Sequence, residues 1–392
     1  MKRARRCYRA CSFLLLAVMP AWQGAAAQWT IESVDRTGPG YYTSLKADRS
    51  GDLHAAYIPE VPGHPLKYAF WDKLVKRWFT MDVASNASFC TLVLDSKDHP
   101  HISYADFGSG LGTRIKYASW DGSWKVEPID VHPGGSIAYF TSIAFDAHDN
   151  PVLTYYDYAD SQMNNVLHLG SVFWRGHYWE ERTVDRTPGS GKFNSLAIDS
   201  TGKPVIAYAN VSYQTDSLRF ATWSGNAWHV EIIEGAAEPF PTYSVAMVLD
   251  KKDNPHIVYT DLVHRLIKYA TRRNGKWETE AVDSYMNVAA GMGYWDRNGI
   301  TVDDQGNPYI SYFDKGAGVL KVAHRVNGRW YREIVDNNMA GMTSSLAIAD
   351  GMLWVSYAGL YDGSFKVASR PLDETAQPVT SETRGHTTPE KK

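Results

Sequence analysis

Once its first 27 residues are set aside, the chain is almost without cysteine. Cys7 and Cys11 lie in that leader, and only Cys90 follows it. A lone thiol excludes an intramolecular disulfide, so the fold has to rest on its core. Also missing are a sustained helical period and any apolar run of the about 20 residues that a bilayer-spanning helix needs. There is no basic excess either. The chain carries 40 Lys+Arg against 43 Asp+Glu, and taking away the five basic residues of the leader leaves 35 against 43, a net charge of −8. A mildly acidic chain argues against nucleic acid as a partner, since a phosphate backbone selects a basic stripe. Walker, dinucleotide and nucleophile-elbow fingerprints are absent, and no two histidines have zinc-ligand spacing.

What is present begins with the leader. Lys2, Arg3, Arg5, Arg6 and Arg9 precede the apolar run CSFLLLAVMPAW and the small-residue end GAAAQ. That is the grammar of a secretory signal over residues 1–27, cleaved after Ala27, and the expected location is secreted or periplasmic, without membrane insertion. The remaining chain of about 365 residues exceeds the size at which a single core stops growing, which points to a repeat architecture.

Four segments recur in fixed order. An apolar run ends in Asp, as in TSLKAD 43–48, TSIAFD 141–146 and NSLAID 194–199. An alternating run follows, such as PHISYAD or PYISYFD, then a third such as LKYAFW or IKYASW. The fourth is led by Trp29, Trp78, Trp124, Trp179, Trp228, Trp277 and Trp330, which stand 49, 46, 55, 49, 49 and 53 residues apart. Each segment is short, rich in β-branched and aromatic residues, and bounded by turn clusters, so each reads as a strand. Four strands repeating at this period make the blades of a propeller. The first three types occur seven times and the fourth only six times after residue 43. The missing copy is QWTIESVD 28–35, at the start. An open sheet edge is a pairing liability, and placing residues 28–35 as the outer strand of the last blade removes it. The sequence therefore predicts an all-β, seven-bladed β-propeller of four-stranded antiparallel blades over 28–370, with a polar, disordered tail over 371–392.

The turn SWDGSWKV at 119–126, with TWSGNAWHV at 222–230, resembles the Asp-box (BNR) repeat of sialidase-like propellers, in which Ser-x-Asp-x-Gly-x-x-Trp joins a blade's third and fourth strands. The resemblance implies the same fold. The Phe/Tyr-Arg-Ile-Pro motif and arginine triad of sialidases have no counterpart here, so sialidase activity is not implied.

Residues that recur in every blade read as scaffold. Tyr57, Tyr104, Tyr155, Tyr208, Tyr259, Tyr312 and Tyr357 share one second-strand position. A third-strand cation (Lys67, Lys116, Arg219, Lys268, Lys321, Lys366) is expected to pair with a carboxylate six residues after the blade tryptophan: Asp35, Asp130, Asp185, Glu234, Asp283 or Asp336. Ala84 breaks that series.

A ligand site is expected on the face where the loops after second and fourth strands emerge, called the top. Tyr42, Phe89, Phe140, Phe193, Tyr243 and Trp295 stand near the start of the innermost strands, where they either fill between blades or stack sugar faces. With Arg297, the set Tyr42, Phe140, Phe193, Tyr243 and Trp295 forms the candidate ligand site. Asp106, Asp157, Asp261 and Asp314 end second strands, as caps of loop amides or as a candidate Ca²⁺ ring; no other cofactor is expected. His264, Arg265, Tyr294 and Arg297 lie where the repeat departs most from itself, and would suit β-elimination on a uronate, with arginine on the carboxylate and His or Tyr as base. The expected function is glycan or surface-partner binding by a monomer through the top face. The alternatives are a polysaccharide lyase and a purely structural interaction protein.

Overall fold

The computed structural model describes residues 28–108, 114–129, 137–158, 168–211, 216–235, 242–284 and 297–372. Among them are seven four-stranded antiparallel sheets and no helix. Blades 1 to 6 run over 40–84, 87–129, 137–185, 190–235, 242–284 and 299–336, each in simple meander order. Blade 7 takes its three inner strands from 340–371 and its outer strand from Thr30–Asp35.

That closing strand pairs with Ser364–Pro371, from Thr30 opposite Ser369 to Asp35 opposite Phe365. Blade 7 is held from both sides. Phe365 stacks on Tyr57 of blade 1 at 4.0 Å, and Trp29 donates to Glu333 of blade 6 at 3.2 Å. The last strand extends one residue past the expected end, and the Leu372 N–H donates to the Gly351 carbonyl at 2.7 Å. The leader 1–27 and residues 373–392 lie outside the described residues.

Two features of the repeat explain themselves in the structure. In blades 1 to 6 the aspartate ending the innermost strand accepts two backbone N–H groups of the following turn, as Asp95 does from Lys97 and His99, and Asp250 from Lys252 and Asn254. These tight turns close the face opposite the top. The second-strand tyrosines are all buried, and most find an acid.

Tyr155 donates to Glu181 of its own blade at 2.6 Å, and for five others the acid comes from the preceding blade. Asp35 Oδ2 receives Tyr57 Oη at 2.6 Å and Lys67 Nζ at 3.2 Å. Asp185 receives Tyr208 and Arg219 at 2.7 and 2.8 Å, Asp283 receives Tyr312 and Lys321 at 2.6 and 3.2 Å, and Asp336 receives Tyr357 and Lys366 at 2.9 and 3.3 Å. Glu234 takes Tyr259 on one oxygen and Lys268 on the other. Among the described residues, five seams thus carry one clasp of hydroxyl, cation and carboxylate; Asp130, the acid expected between blades 2 and 3, lies outside them. Burial alone would raise the pKa of Asp35 and Asp185, but hydrogen bonds from Thr37 and Tyr57, and from Thr187, Tyr208 and Ser190, outweigh it and hold both below the ordinary carboxylate range.

Candidate functional site

The innermost strands of blades 1 to 5 share an irregularity near their top end. Their register breaks between Tyr41 and Ser44, Ser88 and Thr91, Tyr139 and Ser142, Lys192 and Ser195, and Tyr243 and Ala246. Such a bulge leaves residues unpaired and re-aims their side chains. Within it Tyr42, Phe89, Phe140 and Phe193 have φ of 52°, 52°, 54° and 51°. Left-handed backbone is strained for bulky residues, by on the order of 1–3 kcal/mol each, and such strain concentrates at functional sites.

The strain aims the rings at one another. Tyr42 meets Phe89 with centroids 4.6 Å apart, Phe89 meets Phe140 at 4.6 Å, Phe140 meets Phe193 at 4.6 Å, and Phe193 meets Tyr243 at 5.2 Å. Five blades therefore contribute one continuous aromatic arc. The arc stops at blade 6, where Arg297 sends Nη1 to the Cys90 carbonyl of blade 2 at 2.9 Å. Burial draws the Arg297 pKa below the ordinary guanidinium value.

Against Tyr42, Phe89 and Phe140 lies a cavity of about 680 Å³. Its other walls are Tyr41, Phe107, Tyr139 and Tyr156, with Glu60, His64, Ser88 and Lys192 as polar groups. Burial and the hydrogen-bonded Glu60 carboxylate push the Tyr41 hydroxyl up to about 12. Lys192 Nζ stands 5.6 Å from the centroid of the Tyr156 ring; burial pulls its pKa down, opposed by Asp216. Flat apolar walls with a few convergent donors and acceptors suit a ligand that has both an apolar face and hydroxyls.

No family model matches the chain, and no curated protein matches it by sequence. Solved structures do match. An ulvan lyase bound to a glucuronate–sulfated rhamnose unit superposes with a TM-score of 0.56 at 11% identity, over 89% of this chain and 95% of its own. An α-L-arabinanase of Penicillium chrysogenum with arabinobiose gives 0.52 at 13%, over 89% and 99%. A variant of the Aleuria aurantia lectin with α-methyl-L-fucoside gives 0.52 at 12%, over 76% and 97%. The likeness is one of fold.

Within that fold the residues expected from sequence fall into three groups. Tyr42, Phe140, Phe193 and Tyr243 are brought together in the aromatic arc, where packing and cavity wall are one role for Tyr42 and Phe140. Tyr294 and Trp295 lie outside the described residues. The remaining lyase set is parted. His264 and Arg265 occupy the exposed hairpin of blade 5, where His264 Nδ1 contacts Asp261 at 2.8 Å, while Arg297 is directed at blade 2.

The aspartates do not converge on a cation. Asp106 binds Lys116 at 2.5 Å, and Asp314 binds Lys321 at 2.6 Å and the Gly316 N–H at 3.1 Å. Asp261 caps the His264 N–H at 2.9 Å, and Asp157 lies 3.8 Å from His168. Among the described residues no group of three or more His, Cys, Asp or Glu is placed to hold a metal.

Tyr41, Tyr139 and Lys192 line the cavity although the repeat pattern marks only the aromatic that follows each. The signal was there: the pairs at 41–42, 88–89, 139–140 and 192–193 each place a cavity-lining residue just ahead of the strained ring.

Proposed function

We propose that the chain is an exported, glycan-binding propeller whose site is the aromatic cavity of blades 1 to 4. The observation that carries this reading is the four left-handed aromatic residues, whose strain is repeated blade by blade to build one arc, three of them facing the cavity. Stacking on Tyr42, Tyr139 and Phe107 supplies affinity, and Glu60, His64 and Lys192 fix hydroxyls or a charged substituent. The sugar-bound propellers of like fold agree with a glycan as ligand. Glycan-array and calorimetric binding of the chain from residue 28 onward tests the reading. Retention of one glycan class, lost in Tyr139→Ala with unchanged thermal stability, supports it; no binding to any glycan sinks it.

A second reading, a polysaccharide lyase, is favoured by one observation. Burial lowers the Lys192 pKa at the cavity wall, and so moves the amine toward the free base that abstracts a proton α to a carboxylate. New absorbance in the unsaturated-uronate band during the same screen, lost in Lys192→Met, would replace binding with turnover.

A further inference from the structure

The seam between blades 1 and 2 lacks its clasp among the described residues. In the outer strand of blade 1, Ala84 stands opposite Leu66, just past the register shift between Leu66 and Lys67. Asp283 opposite Ile267 and Asp336 opposite Leu320 hold the same place in blades 5 and 6. Ala84 therefore sits where a clasp requires its carboxylate, while the other two members remain on blade 2.

Tyr104 is fully buried, and its hydroxyl has no hydrogen-bond partner among the described residues. A buried hydroxyl left unmatched costs about 1–3 kcal/mol. Lys116 Nζ keeps the contact to its own blade's aspartate, 2.5 Å to Asp106, as Lys321 does at 2.6 Å to Asp314. Lys321 also reaches Asp283 at 3.2 Å; the corresponding acid for Lys116 is missing. Where the side chain is absent there is space, a cavity of about 580 Å³ lined by Ala84, Asn86, Tyr104, Arg114, Lys116 and Pro128. Lys116 and Asp106 offset one another, and Arg114 leaves the cavity with a net positive charge.

We infer that the seam between blades 1 and 2 binds a carboxylate-bearing ligand, whose carboxylate occupies the place that Asp or Glu fills at five other seams. At the four aspartate seams one carboxylate oxygen takes both the tyrosine hydroxyl and the cation, and the other takes a backbone amide, as Asp35 takes Thr37 N–H at 2.8 Å and Asp336 takes Asn338 N–H at 3.0 Å. In the open seam Tyr104 and Lys116 are left for the first oxygen and Arg114 for the second. Guanidinium and a planar carboxylate suit one another as a two-pronged pair. The site is separate from the aromatic cavity but adjoins it: Asn86 and Gly108 line the seam, and their neighbours Ala87 and Phe107 line the cavity.

Calorimetric titration of the chain from residue 28 with acetate, D-glucuronate, D-glucose and sulfate at constant ionic strength tests this. Acetate and glucuronate are expected to bind, glucose and sulfate at least about tenfold more weakly, and Tyr104→Phe to weaken acetate about tenfold. Ala84→Asp, which supplies the acid in place, is expected to abolish acetate binding. Arg114→Gln with Lys116→Met is expected to do the same should Ala84→Asp fail to fold. Sulfate binding as well as acetate, or acetate binding that survives these substitutions, overturns the inference. Phe107→Ala leaves acetate binding unchanged while weakening any glycan held in the aromatic cavity, so the two sites fail separately.

Discussion

Arg297 and Cys90 are 207 positions apart in the chain, yet the Arg297 guanidinium donates to the Cys90 carbonyl at 2.9 Å and ties blade 6 to blade 2. An arginine expected to meet substrate is thus engaged by the scaffold. Arg297→Met is expected to lower stability by about 1.5–3 kcal/mol, the worth of a hydrogen bond to a charged group. A lower urea midpoint at unchanged slope, with glycan binding retained, is the expected result. Full stability with binding lost would return Arg297 to the ligand site.

The cavity wall divides into scaffold and contact surface. Phe140 is buried among Phe89, Phe193 and Tyr156, so Phe140→Ala is expected to cost about 3–5 kcal/mol. Phe107 is 46% exposed. Phe107→Ala is expected to change the melting temperature little and weaken glycan binding severalfold. Paired melting and titration curves for the two variants check this.

The clasps predict opposite outcomes for one chemical change. Tyr312→Phe removes the hydroxyl that Asp283 accepts at 2.6 Å and is expected to destabilise by about 1.5–3 kcal/mol. Tyr104→Phe removes a hydroxyl with no partner among the described residues and is expected to be neutral or stabilising. Equal losses in the two variants would mean that the open seam is closed by other means.

His324 supplies a pH dependence. It lies flat between Tyr309 and Tyr331, at 5.5 and 5.6 Å, and burial together with the nearby Arg370 charge pushes its pKa down to about 4. The folded state then binds fewer protons than the unfolded state between about pH 6.5 and 4. Its contribution is present above pH 6.5 and is lost as pH falls through about 4, by roughly 3 kcal/mol in all. His324→Phe is expected to flatten the acid limb of a stability-against-pH curve over that window. An unchanged limb would place the acid sensitivity elsewhere.

How far the sequence carries differs between fold and site. Seven tryptophans at a period near 50 and an orphan fourth strand at 28–35 are enough to count the blades and predict the closing pair, because period and composition are local properties. The tyrosine and acid series were legible too, and so was the exception Ala84. Its consequence was not: that Asp35, Asp185 and their counterparts clasp the next blade depends on which strands face one another across a seam.

The site followed the same division. The aromatic pairs stand in the sequence, but their convergence depends on bulges that turn Tyr42, Phe89, Phe140 and Phe193 into left-handed backbone, and no spacing rule predicts a strained conformation that five neighbouring strands impose together. The expected ligand set of Tyr42, Phe140, Phe193, Tyr243, Trp295 and Arg297 runs from blade 1 to blade 6, and the cavity of blades 1 to 4 takes in its Tyr42 and Phe140. Residue identity alone determined the architecture, since strand composition, turn residues and the repeat period are local properties of the chain. Only tertiary structure decided which rings share a wall and which buried hydroxyl lacks its acid, because both depend on which strands meet across a seam: ring partners stand 47 to 53 positions apart in the chain, and a tyrosine and its acid 21 to 29.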